Sequence, residues 1–249
     1  VLNVTHEKNE IVIVGAGLLG SIFTDTLMSH LHSIPTSLSI AVIDHDKLEH
    51  RNCVGNHTVI DYVGMPKAKL VVRRFQQNGF SARYIVQRLT EKNAGNLLSR
   101  AAVLVGAVDN VSARVNMWNA ATELGIPYLD MGVNMNNFVV SWTYRDLDNM
   151  PFSPNVTAEA AEIKEVKKPP CELIGTRIQA GVAAELAAKS LMIFLSGADP
   201  SGVVGSFIGE GAEHGDLVSW NGIMAGAQIS VMGSYLGRRA SDVETTNSG

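Results

Sequence analysis

The chain has 249 residues and a mass of 26.7 kDa, enough for one large α/β core and too little for two. Apolar residues make up 46% and charged residues 18%, and twenty basic against twenty-four acidic side chains leave a formal charge of -4. Such a charge provides no overall field for nucleic acid or a membrane surface, so neither is expected as a partner. Cys53 and Cys171 lie far apart and form no C-x-x-C pair, which argues against a zinc ribbon or a disulfide framework and fits free thiols in the cytoplasm. The longest apolar run near the C-terminus, Leu191 to Leu195, is far shorter than the roughly 20 residues of a membrane span. No signal peptide is visible at the N-terminus.

In chain order, Ile11-Val12-Ile13-Val14 is a β-branched run without a polar break, as in a strand buried on both faces of a parallel sheet. It leads into Gly15-Ala16-Gly17-Leu18-Leu19-Gly20. Ile22, Phe23, Leu27 and Leu31 then recur at helical spacing until Pro35. Further strands are predicted over 39–43, 84–89 and 101–108, with helices near 67–77, 94–100 and 112–124. This alternation implies right-handed crossovers and a Rossmann-like, doubly wound, mainly parallel sheet. Two more strands follow, 126–131 and 138–144; the period-2 alternation of the second suits an antiparallel position.

Residues 1–144 thus form a nucleotide-binding core of a single domain. Residues 145–175, with Pro151, Pro154 and the charged "EIKEVKK", read as a long surface loop. Thr176 to Phe194 is a helix. The glycine-rich remainder, with "VVGSFIGEG" and "LVSWNG", reads as one hairpin before a frayed tail.

Gly15, Gly17 and Gly20 have the G-x-G-x-x-G spacing. The first permits a tight turn, the second lets a phosphate approach the backbone, and the third lets helix and strand pack closely. Free amides at the helix N-terminus then face the anion. A purely structural glycine turn would show the same residues. Asp44 ends the second strand, where an acid commonly takes ribose hydroxyls; the plain alternative is a solvated loop acid. Asp46, Glu49, Asn52, Met65-Pro66-Lys67-Ala68, Asp109-Asn110 and Arg114 accompany it. A lysine at a helix start can reach triphosphate oxygens, and a carboxylate at the C-terminal end of a strand can hold Mg²⁺. The alternatives are a solvated helix lysine for Lys67 and an N-terminal helix cap for Asp109.

The order G-x-G-x-x-G, D-x-D, N, P-K-A, D-N and Arg resembles the adenylating domain of ubiquitin-activating-type enzymes (the ThiF/MoeB/HesA superfamily), over roughly 10–140 and more loosely over 176–194. The resemblance implies that Gly15, Gly17 and Gly20 shape the nucleotide loop, Asp44 holds the ribose with Asp46 beside it, Asn52 lies near the phosphates, Lys67 contacts phosphate, and Asp109 serves the metal. It implies ATP and Mg²⁺ as cofactors, a ubiquitin-like or sulfur-carrier protein or peptide C-terminus as acceptor, and a homodimer. In such enzymes the acceptor carboxylate attacks the α-phosphate of ATP, giving an acyl-adenylate and pyrophosphate.

Three features depart from the family pattern. Where relatives read N-x-x-R-Q, this chain has Asn52-Cys53-Val54-Gly55-Asn56, so Gly55 replaces a phosphate-contacting arginine; Arg51, Arg73 and Arg74 are nearby substitutes. The C-x-x-C pairs of many relatives are absent, so no structural zinc is expected. The short N-terminus leaves little room for the helix that relatives use across a dimer interface. Cys171, just before the last helix, lies near the sulfur-handling cysteine of the thiamine branch; a helix N-terminus favours its thiolate, although a small buried residue is the plainer reading. His30 and His32 are expected on the solvated surface, and Trp118 in the core. Two rivals stay open: a nicotinamide oxidoreductase, and a catalytically silent relative that scaffolds a partner.

Overall fold

The computed structural model describes residues 8–32, 37–53, 60–133, 138–143, 174–198, 220–224 and 227–231. The elements are β1 (Glu10–Val14), α1 (Leu18–Leu31), β2 (Ser39–Ile43), α2 (His50–Cys53), a short 3₁₀ turn (Ile60–Tyr62), α3 (Lys67–Gln77), β3 (Ala82–Ile85), α4 (Glu91–Leu97), β4 (Ala101–Gly106), α5 (Val111–Leu124), β5 (Tyr128–Val133), β6 (Phe138–Thr143), α6 (Ile174–Leu195), β7 (Trp220–Met224) and β8 (Ala227–Val231).

The main sheet has the order β3-β2-β1-β4-β5-β6. The first five strands run parallel and β6 pairs antiparallel with β5. This is the doubly wound α/β fold expected from the alternation of elements. Order reverses between β1 and β4, and a ligand crevice opens at the C-terminal strand ends at such a switch point. Helices cover both faces, so β1 and β4 are buried throughout. Alternate residues of each strand feed two separate cores. Ile11, Ile13, Val103, Val105, Leu129 and Met131 pack toward α1, α3 and α6, whereas Val12, Val14, Leu104 and Tyr128 pack toward α4 and α5. Each buried side chain of this size contributes roughly 1.5–3 kcal/mol.

Helix α6 lies against α1 through Ala180, Ala183, Ala184, Ala187, Ala188 and Leu191, all fully buried. This i, i+3, i+4 stripe of small residues lets the two helices approach closely. Residues Arg177–Leu195 are long and apolar enough by length and composition to cross a bilayer. The sequence reading, counting only the largest aliphatics, missed this. Here the alanine face is core packing, and Trp142 of β6 adds a hydrogen bond to Ser190 at 2.7 Å and a ring contact with Phe194.

Several boundaries differ from the sequence reading. β3 is Ala82–Ile85, because only those residues face Ile40–Ile43 before β2 ends. β4 stops at Gly106, where Ala107 bends toward the glycine turn, and β5 runs two residues later than expected. α4 starts at Glu91 because the Asn93 side chain accepts from the Thr90 amide and caps the turn. A hairpin is formed by β7 and β8, so the WNG of "LVSWNG" pairs with the segment after it; "VVGSFIGEG" lies outside the described residues, as does most of the 145–175 loop. His32 is exposed as expected, with its ring against Phe80, whereas His30 is half-buried, 3.5 Å from Glu185 of α6. Trp118 is half-buried and packs against the α4/α5 core.

Candidate nucleotide site

The turn after β1 has the geometry its glycines foretell. Gly15 has φ +99°, and a Cβ there would lie 2.5 Å from the Ala107 carbonyl oxygen. A Cβ on Gly20 would run into the Gly15 carbonyl, so only glycine brings α1 this close to β1. Gly17, by contrast, has nothing within 4 Å of its Cβ position and caps α1 without a side-chain hydrogen bond. The first amides of α1 are thus accessible beside open backbone, the arrangement that accepts an anion.

Asp44 is not a solvated loop acid. It is 9% exposed; its Oδ2 accepts from the Ala16 amide at 2.6 Å and its Oδ1 from the Asp46 amide at 2.7 Å. The carboxylate therefore pins the glycine turn to the end of β2, while each oxygen keeps a lone pair for a further donor.

Lys67 is not a solvated lysine either. After β2 the chain runs antiparallel to the segment before α3, with Lys47 bridged to Pro66, the Leu48 amide bonded to the Met65 carbonyl and the Gly64 amide to the Leu48 carbonyl, both at 2.8 Å. This small ladder brings Lys67 to Asp46: the Lys67 amide donates to the Asp46 carbonyl at 2.9 Å, and Nζ to Asp46 Oδ2 at 3.0 Å. His45 flanks the pair, 3.3 Å from Asp46 Oδ1 and 2.8 Å from Arg88 Nη2. Burial pushes the Asp46 carboxyl up, but Lys67, with His45 and Arg88, outweighs it and holds it below its ordinary value. Asp44, His45 and Asp46 could place three ligand atoms within 4.8 Å of one another, but Lys67 and Arg88 already supply the positive charge there.

Asp109 follows β4 and is exposed at the sheet rim, two residues beyond the contact between Ala107 and Gly15. It is not the cap of α5. That role belongs to Asn110, whose side chain accepts from the Ala113 amide at 2.7 Å. The structural alternative for Asp109 is therefore filled by its neighbour.

The structure thus brings Gly15, Gly17, Gly20, Asp44, Asp46 and Lys67 together and sets Asp109 on the adjoining strand end. Asn52 has a local task, accepting from the Glu49 amide at 2.9 Å to start α2. Of the arginines proposed in place of the missing one, Arg74 is tied to Asp25 of α1 at 2.6 Å and Arg73 stacks over Tyr62. In the ligand-free protein both side chains thus already have a partner. Cys171 and Gly55 lie outside the described residues.

Sequence reasoning singled out Arg114 but missed its partners Asp130 and Tyr128. Arg114 donates to Asp130 Oδ2 at 2.7 Å and to the carbonyls of Val108 and Met131 at 3.0 and 2.9 Å. Tyr128 donates to Asp130 Oδ1 at 2.6 Å. An acid and two glycines inside hydrophobic strands, "AAVLVG" and "YLDMGV", were the available signal.

Fold and residue placement together define a doubly wound α/β domain with a candidate site at the β1/β4 switch point. The ThiF family model matches residues 5–226, and the chain belongs to the ThiF family. Comparison with curated protein sequences finds no match. Among solved structures, E. coli MccB with AMPCPP and selenomethionine MccA is 18% identical with a TM-score of 0.61, covering 93% of this chain and 65% of that one. E. coli MccB with ATP is also 18% identical, with a TM-score of 0.59. PaaA is 13% identical with a TM-score of 0.58, covering 90% of this chain and 71% of that one. At these identities the likeness establishes the fold. The chain spans 65% of the length of the first of these relatives.

Proposed function

We propose that the chain is an ATP-dependent adenylating enzyme acting on the C-terminal carboxylate of a peptide or small carrier protein. The observation that carries this reading is the convergence of Lys67 and Asp46, 21 positions apart, beside an Asp44 carboxylate fastened to an open glycine turn. ThiF family membership supports it, and MccB has been crystallised both with ATP and with the peptide MccA.

Asp44, half-satisfied by two amides, would accept the ribose hydroxyls, and the Gly17 backbone with the α1 amides would take phosphate oxygens. Lys67 would exchange Asp46 for a phosphate oxygen as the nucleotide enters. The residues also fit a magnesium ion bound with the nucleotide, since Asp109 is an exposed carboxylate at the strand end, with the helix cap supplied by Asn110. Such an ion neutralises charge on the phosphates. The acceptor carboxylate would form a bond to the α-phosphorus as pyrophosphate leaves. Positioning and charge neutralisation suffice for that step, and no side-chain base is needed. Cys171 remains the proposed candidate for a later covalent step, the cytoplasm the proposed setting, and a homodimer the proposed assembly.

The direct test is exchange of labelled pyrophosphate into ATP with candidate acceptor peptides ending in a free carboxylate. Exchange is expected, with Lys67→Ala lowering nucleotide affinity tenfold or more, on the order expected for a charge-assisted contact. The reading fails if no acceptor supports exchange and Lys67→Ala leaves nucleotide affinity unchanged. Gly55, standing where relatives carry arginine, favours one second reading, a silent scaffold that binds ATP without releasing pyrophosphate.

A further inference from the structure

We infer that the Tyr128, Asp130 and Arg114 side chains form a positioning device that clamps the carbonyl of Val108 and so sets where the Asp109 carboxylate stands at the nucleotide site. The inference rests on the nucleotide reading above for the role of Asp109, and on geometry alone for the clamp.

Arg114 sits in the second turn of α5 and reaches back to Val108, the residue immediately before Asp109, while also holding the Met131 carbonyl of β5. One guanidinium therefore ties the β4–α5 connection to the end of the neighbouring strand. Asp130, fully buried, fixes the guanidinium through Oδ2, and its Oδ1 is in turn fixed by the Tyr128 hydroxyl. Burial pushes the Asp130 carboxyl up, against the pull of Arg114 and the Tyr128 hydroxyl.

The fold makes room for this group. A Cβ on Gly132 would overlap the Arg114 guanidinium, and a Cβ on Gly106 would lie 2.7 Å from the Tyr128 hydroxyl. Glycine within β5 and at the end of β4 thus admits the Arg114 guanidinium and the Tyr128 hydroxyl. Apolar side chains of similar volume often stabilise a core at least as well as a buried ion pair, so stability alone does not account for the arrangement. What the apolar substitute could not do is hold the Val108 carbonyl, the backbone group immediately before Asp109. Asn110 anchors the other flank of Asp109 by capping α5. The acid is then bracketed by two fixed neighbours.

Two variants test the clamp in the whole chain. Tyr128→Phe keeps the ring packing and removes the hydroxyl from Asp130. Arg114→Lys keeps the charge opposite Asp130, but a single ammonium cannot serve three acceptors in the guanidinium's fork geometry. Hydrogen exchange of the ligand-free protein should show amides of residues 107–113 exchanging about tenfold faster in either variant, with β1 and α1 unchanged. In ATP titrations, the magnesium concentration for half-maximal binding should rise about tenfold, as for other supports of metal ligands. Affinity for ATP in EDTA, set by the glycine turn and Asp44, should stay within about twofold.

Unchanged exchange at 107–113 overturns the clamp. Faster exchange with unaltered magnesium dependence, or an equal loss of affinity with and without magnesium, overturns its positioning role. If the wild-type protein binds no ATP, the nucleotide reading fails and the exchange measurement still decides the clamp. Should Arg114→Lys not melt cooperatively, Tyr128→Phe carries the test.

Discussion

The two strand ends that meet at the switch point are built in opposite ways. On the β1/β2 side a short carboxylate gathers backbone amides: Asp44 accepts from Ala16 and Asp46, and a Cβ on Gly20 would meet the Gly15 carbonyl. On the β4/β5 side a long guanidinium gathers backbone carbonyls, with Arg114 spanning Val108, Asp130 and Met131. The first side leaves open space at Gly17; the second is a buried ionic group next to one exposed acid. The contrast is between a turn fastened through its amides and a strand end fastened through its carbonyls.

The largest expected effect falls on the braced side. Asp130→Ala leaves the Arg114 charge nearly buried without its counter-ion and should destabilise the protein by about 3–5 kcal/mol, measured by denaturant unfolding. A loss below about 1 kcal/mol would mean that the pair behaves like a surface ion pair, and the contrast would collapse.

A smaller loss is expected from the backbone-held side. Gly15→Ala combines positive φ with a clash against the Ala107 carbonyl and should cost about 1–3 kcal/mol. Gly17→Ala meets open space at an ordinary φ and should change stability by no more than about 0.5 kcal/mol while weakening ATP binding measurably by calorimetry. Equal stability losses at both glycines would show that the turn is structural throughout.

The smallest effect concerns the Lys67–Asp46 pair. The Asp46 pKa is lowered in the folded protein, so its contribution to stability is present above its ordinary range and disappears as pH falls through the lowered value. Asp46→Asn should flatten that acid limb by less than about 1 kcal/mol, since the Asp46 side chain is half-exposed. Unfolding midpoints across an acid titration, compared between wild type and variant, would reveal it. An unchanged acid limb would show that Lys67 gains nothing from Asp46.

Much of the crevice is legible along the chain. Gly15, Gly17 and Gly20 act at fixed short spacing, so the turn follows from steric rules that hold wherever the motif occurs. β2, α3 and the antiparallel placement of β6 follow from local pattern as well. Boundaries shifted where a partner strand decided the length, as at β3. Sequence spacing could not show that Arg73 lies over Tyr62 and Arg74 pairs with Asp25, because both partners come from other segments of the chain.

The order of residues by itself determined a doubly wound α/β core with a glycine turn after its first strand, because apolar period and glycine spacing act over a few residues and need no distant partner. Only the tertiary structure decided which polar side chains are braces and which face the crevice. Arg114 and Asp130 are 16 positions apart, and whether two such charges meet depends on how β5 and α5 are stacked, which no local pattern records.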